Sequence, residues 1–168
     1  MIERLAKTSL VAALALFMGI VVWNNLVDYG SNFEFVKHVL SMDTTFPENK
    51  LRGRALTSPG IHHAFYAGII AWEALTTVLL AYATFRLGSA RSHPMAFTQA
   101  KPIALLALTS NLLLWFLAFI TIGGEWFVMW QSSVWNGQSA AFRMFTCVGI
   151  VLLFLKTPES DPTPPTAS

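Results

Sequence analysis

The chain has 168 residues, 54% hydrophobic and only 12% charged, with a mean hydropathy of +0.53. A soluble domain carries about twice that charge fraction, so most of this surface is not built for water. The net charge of +2 and the scattered Lys and Arg residues lack the basic stripe that a phosphate backbone requires, which excludes nucleic acid as a partner.

Four apolar stretches dominate the chain. The first, about 9–27, follows Arg4 and Lys7 and has the look of a signal peptide. A cleavage site needs small residues at its end. This run ends in Trp23-Asn24-Asn25-Leu26-Val27-Asp28, so an uncleaved span is expected. Next, Ser31-Asn32-Phe33-Glu34 reads as a capping box, with Ser31 as cap and Glu34 reaching back. Phe33, Val36, Val39 and Leu40 recur at helical spacing. A short amphipathic helix over about 32–42 is expected across the bundle mouth or in the interface.

The second span, about 59–85, opens with Ser58 as a cap and Pro59 in the first turn, where a missing N–H is harmless. The third, about 101–123, has Pro102 in its first turn and Gly123-Gly124 at its close. The fourth, about 138–155, ends at Lys156 and Pro158 and contains Cys147, the only cysteine. A lone cysteine excludes an intrachain disulfide and a Cys-based zinc site, and Cys147 is read as a small buried packing residue. Residues 157–168 form a polar, proline-rich tail expected to be disordered. Residues 1–156 then make a single four-span membrane domain.

Each stretch is long enough to cross the hydrocarbon layer. Lipid leaves backbone groups unsatisfied, so only helices or a closed barrel can span it. Continuous oiliness without period-2 alternation excludes the barrel. The fold class is therefore all-α: a four-helix transmembrane bundle with a short amphipathic helix in the first outer loop.

Arg4, Lys7, Arg86, Arg91, Lys101 and Lys156 fall on one side, and Lys37, Lys50, Arg52 and Arg54 on the other. Positive charge favours the cytoplasm. A multi-pass membrane protein with both termini cytoplasmic is expected. Trp23, Trp126, Trp130 and Trp135 lie near the outer span ends, where such rings prefer the headgroup zone. Trp72 and Trp115 sit mid-span and should pack between helices.

Polar residues gather at the outer end. The expected vestibule comprises Asn25, Asp28, Tyr29, His62, Tyr66, Asn111, Glu125, Trp126, Trp130, Gln131, Asn136 and Arg143. His62, Tyr66, Glu73 and Thr77 share one helical stripe, as do Asn111, Trp115, Ala118, Ile122 and Glu125. Glu73 lies roughly 16 Å below His62, too deep for Arg143, whose better partners are Glu125 or Asp28. A carboxyl at membrane depth is expensive and marks a functional candidate, here a proton-responsive group. A structural reading bonds a neutral Glu73 to Asn111, Thr76 or Thr77. His62 and His63 are adjacent and point to different faces. No metal-ligand spacing appears, and no Ser-His-Asp, Walker or dinucleotide signature. No metal, no cofactor and no catalytic residue are expected.

The segments Asn24-Asn25…Asp28-Tyr29…Asn32…Phe35-Val36…His38-Val39-Leu40-Ser41-Met42-Asp43-Thr44 and Gly123-Gly124-Glu125-Trp126-Phe127…Met129-Trp130-Gln131…Trp135-Asn136-Gly137-Gln138…Phe142-Arg143 carry a resemblance. They resemble a bacterial family of predicted small integral membrane proteins, a four-helix domain of unknown function. The resemblance runs from the first span to the end of the fourth. It implies four spans in a bacterial membrane and leaves activity open.

The leading expectation is a non-enzymatic role: a small transporter or an accessory subunit of a membrane complex, in the lipid bilayer as a homo-oligomer or with a partner. The alternatives are a membrane redox or lipid- and quinone-handling enzyme subunit, and a purely structural membrane protein.

Overall fold

The computed structural model describes residues 1–159; the remainder of the expected disordered tail, 160–168, lies outside the described residues. The described residues form five long helices: α1 (Ile2–Val27), α2 (Tyr29–Ser41), α3 (Pro59–Ala90), α4 (Pro94–Leu113, continuing as a π-helix over Leu114–Trp126) and α5 (Gln138–Lys156). No strand occurs among the described residues. Four of these elements, α1, α3, α4 with its π segment, and α5, are long and apolar enough to cross a membrane.

All four extend beyond the apolar runs that announce them. Oiliness marks only the part of a helix that meets hydrocarbon, whereas the helix itself continues wherever propensity allows. Thus α1 begins at Ile2 rather than near residue 9, and α3 runs on to Ala90. The third span starts at Pro94, which takes the first helical turn, so Pro102 lies inside the helix rather than opening it. Ser58 precedes α3, yet its side chain makes no capping hydrogen bond.

The helices pack in the cyclic order α1, α3, α4, α5, with α1 against α3 the most extensive contact. The core between them is apolar and small-residue-rich, including Val11, Met18, Leu80, Ala83, Ala104, Ala107 and Val148. The outward faces are inverted relative to a soluble bundle: Leu16, Val78, Leu106, Ile150 and Leu153 are all more than half exposed. Such a contiguous apolar exterior requires lipid or another apolar partner. Cys147 belongs to it; the side chain is exposed rather than buried, because its position on α5 falls outside the buried stripe of Ala141, Val148, Val151 and Leu155.

Both ends of the described chain lie at one end of the bundle, the terminal end. The other, capped end carries α2 and the connection from α4 to α5. The two long connections are stitched together there. Thr44 Oγ1 donates to Ser132 Oγ (2.9 Å), the Phe46 N–H to Gln131 Oε1 (3.1 Å), and Arg54 Nη1 to the Trp126 carbonyl (3.2 Å). Val128 adopts φ 48°, a left-handed conformation unusual for a β-branched residue, and this turns the chain so that Phe127 and Met129 on either side are both buried.

Candidate functional site

The buried stripes of α1 and α3 bring the site together. On α1, Val11, Leu14, Met18 and Asn25 are spaced by three, four and seven residues, so Asn25 faces inward while its neighbour Asn24 is exposed. On α3, His62, Tyr66, Glu73, Thr76 and Leu80 follow the same spacing. Because α1 and α3 are the closest packed pair, Asn25 and Glu73 meet. Asn25 Nδ2 donates to Glu73 Oε2 at 2.7 Å. Only 5% of Asn25 and 2% of Glu73 are exposed.

The chain breaks at Asp28 (φ −117°, ψ 61°), and α2 folds back over the bundle. That bend returns Asn32 above Asn25, where its Nδ2 donates to Asn25 Oδ1 at 2.6 Å. A hydrogen-bonded series therefore leads from exposed Asn32 through Asn25 to the buried carboxyl. The Tyr66 hydroxyl adds a long bond of 3.5 Å to the Asn25 carbonyl. The second face of Glu73 borders a cavity of about 200 Å³, walled by Asn25, Asn32, Tyr66, Trp115, Phe35 and Phe119, with Val21, Val36 and Ile69. A second, apolar cavity of about 90 Å³ shares Phe35, Val36, Ile69 and Phe119 with it and continues to Phe127 and Met129. Among the described residues Glu73 forms no ion pair. The carboxyl thus has one side-chain donor, an adjoining space and no cation.

The expected partners of Glu73 are engaged elsewhere. Thr76 shares a hydrogen bond with Ser110 (2.9 Å), and Trp72 Nε1 donates to that same Ser110 hydroxyl (3.0 Å). Thr77 bonds back to the Glu73 carbonyl. Asn111 Oδ1 accepts from Trp115 Nε1 at 2.8 Å, while its buried Nδ2 has no hydrogen-bond partner. Asn111 therefore orients a wall of the cavity from behind and does not reach the carboxyl.

Of the expected vestibule, Asn25 and Tyr66 join Glu73 at the cavity. Tyr29 packs at a tilt against Tyr66 (centroids 4.6 Å) and its hydroxyl meets His63 Nδ1 at 2.9 Å. Most of the others build the cap. Buried His62 holds the first connection, its Nε2 donating to the Leu56 carbonyl at 2.6 Å. Gln131 accepts from Phe46, and Asn136 Oδ1 accepts from the Gln138 N–H at the start of α5. Trp126 lies under Arg54 (4.5 Å) and Trp130 meets Phe46 edge-on. Asp28 accepts from Ser31, so Ser31 does not cap α2 and the capping box is absent; Glu34 instead pairs with Lys37 (2.9 Å). The Lys37 hydrogen bond holds the Glu34 carboxyl below its usual range. Arg143 and Glu125 are exposed, and Arg143 pairs with neither Glu125 nor Asp28.

Glu125 leaves its predicted stripe for a geometric reason. From Leu114 to Trp126 the helix is π, and a bond from the Phe127 N–H to the Ile122 carbonyl (3.0 Å) continues the i→i+5 pattern. Each residue then turns through a smaller angle than in an α-helix. A stripe drawn at 3.6 residues per turn drifts off the inner face, leaving Trp115 inside and Glu125 outside.

One cluster escaped sequence reasoning. At the terminal end, buried Lys7 of α1 and Lys101 of α4 both contact Glu159 Oε1, at 2.9 and 2.6 Å. Burial alone would raise the Glu159 carboxyl, but the hydrogen bonds and charges of Lys101 and Lys7 outweigh it and hold it below its usual range. The available signal was Lys101, a charge inside an otherwise apolar helix.

Four membrane-length helices with lipophilic exteriors and a buried carboxyl beside an aromatic-walled cavity define a small multi-pass integral membrane protein. The chain belongs to the family described as "Predicted small integral membrane protein (DUF2165)", whose model matches residues 3–158. It matches no curated protein and no solved structure.

Proposed function

We propose that this is a ligand-binding protein of the bacterial inner membrane, acting as a small transporter or as the accessory subunit of a larger complex, with Glu73 as its proton-responsive group. The supporting observation is the single-donor, cation-free carboxyl at the wall of a 200 Å³ cavity. A carboxylate buried without compensation is expensive, and a positive charge or hydrogen-bond donor brought by a ligand offsets that. The walls of Tyr66, Phe35, Trp115 and Phe119 suit an ammonium group, which aromatic faces attract. The ligand class is therefore a small organic cation or amine, bound when Glu73 is ionised and released when it is protonated. The excess of Lys and Arg at the terminal end supports termini in the cytoplasm and a cap facing outward.

The test is uptake of tetramethylammonium into proteoliposomes, together with quenching of Trp115, which lines the cavity. Glu73→Gln keeps the shape and a carbonyl acceptor for Asn25 but removes the charge. Loss of binding and of pH-dependent uptake is expected. Full, pH-independent activity in the Glu73→Gln variant removes Glu73 from the mechanism. The adjoining apolar cavity supports a second reading, a quinone- or lipid-handling subunit. In that case a short-chain quinone, and not the cation, quenches Trp115.

A further inference from the structure

We propose that the terminal end of the bundle carries an anion-binding site, built by Lys7 and Lys101, which Glu159 fills from within the chain and which takes the phosphate of an anionic phospholipid when Glu159 leaves. The site lies at the opposite end from the Glu73 cavity and does not depend on the reading of that cavity.

The cradle is built from two helices. Lys7 is 1% exposed and Lys101 9%, although they come from different helices. Both ammonium groups also donate to the Thr157 carbonyl, at 2.6 and 3.0 Å. The Phe154 ring lies 5.4 Å from Lys7 Nζ, and the Phe97 ring 5.9 Å from Lys101 Nζ. Aromatic faces and one carbonyl stabilise these cations but do not neutralise them. Two buried ammonium groups converging on one point require an anionic oxygen there, and Glu159 Oε1 supplies it.

Depth identifies the exchangeable anion. Lys7 is roughly 8 Å along α1 from Ile2, and Lys101 roughly 10 Å along α4 from Pro94. Helices of 26 and 33 residues exceed the hydrocarbon thickness, so their ends project into the headgroup layer. The cradle falls where phospholipid phosphates lie, between helices, as basic pockets for anionic lipids do. Glu159 is then an intramolecular competitor of the lipid.

The test uses the whole wild-type chain in micelles titrated with phosphatidylglycerol, phosphatidylcholine or inorganic phosphate. Trypsin cleavage after Lys156 is followed by mass spectrometry and normalised to cleavage after Arg91. Phosphatidylglycerol is expected to raise cleavage about tenfold, the change that about 1.4 kcal/mol of competition produces. Phosphatidylcholine should leave it unchanged. An equal response to inorganic phosphate overturns the lipid assignment, and no response to either anion overturns the site. Independently, Glu159→Gln should retain about tenfold more phosphatidylglycerol than wild type in native mass spectra, and adding Lys7→Gln and Lys101→Gln should abolish the gain. Equal retention in wild type and Glu159→Gln contradicts the competition.

Discussion

The Asn25–Glu73 hydrogen bond is measurable as a coupling energy. Asn25→Leu, Glu73→Leu and the double variant form a thermodynamic cycle. Asn25→Leu removes the donor at 2.7 Å from a side chain only 2% exposed, and also the acceptor of Asn32. Glu73→Leu leaves the Asn25 amide without its acceptor, although Asn32 still holds its oxygen. Each single change strands a buried polar group, at a cost of about 1–3 kcal/mol, whereas the double variant strands neither. The coupling size distinguishes two states of Glu73. Neutral side-chain hydrogen bonds within membranes average about 0.6 kcal/mol, whereas a bond to a charged group contributes about 1.5–3 kcal/mol. A proton-responsive Glu73 that is ionised at rest should fall in the higher range. The assay is reversible unfolding of the four proteins in mixed micelles. Additivity to within about 0.5 kcal/mol would refute the idea that this bond organises the site.

Gly137→Ala places a Cβ 2.9 Å from Phe35 Cζ. It should push that ring into both cavities, lower stability by about 1–3 kcal/mol and weaken Trp115 quenching by tetramethylammonium; unchanged quenching would show that Phe35 does not shape the cavity. Glu159 has a folded pKa held below its ordinary value, so its stabilisation is full above about pH 4.3 and fades as pH falls further, through the lowered folded value. The difference in melting temperature between wild type and Glu159→Gln should therefore persist at neutral pH and vanish in acid; a constant difference would separate it from this carboxylate. Cys147 lies about 14 Å from either end of α5 and faces outward. A water-soluble maleimide should label it in denaturant but not in intact vesicles, and rapid labelling in vesicles would contradict a lipid-facing position.

The helices were readable from residues alone because each apolar run is longer than any alternative structure in lipid allows, and because the solvent at those positions is uniform. The inward face of α3 was equally readable: an uninterrupted α-helix keeps His62, Tyr66 and Glu73 on one stripe, and all three are buried. On the third span the same reasoning held through Asn111 and Trp115 and failed at Glu125, since a π segment has a different angular step and no residue there announces it. Side-chain partners were beyond local rules. Glu73 had Thr76, Thr77 and Asn111 within plausible reach, yet it meets Asn25, because that choice depends on which helices pack closest and on the bend at Asp28 that carries Asn32 overhead. Lys7, Lys101 and Glu159 are separated by most of the chain and share one oxygen only because α1, α4 and the end of α5 converge. Periodicity and hydropathy act along a single element, so they determine spans and faces; distances between elements arise from packing, which the tertiary structure alone decides.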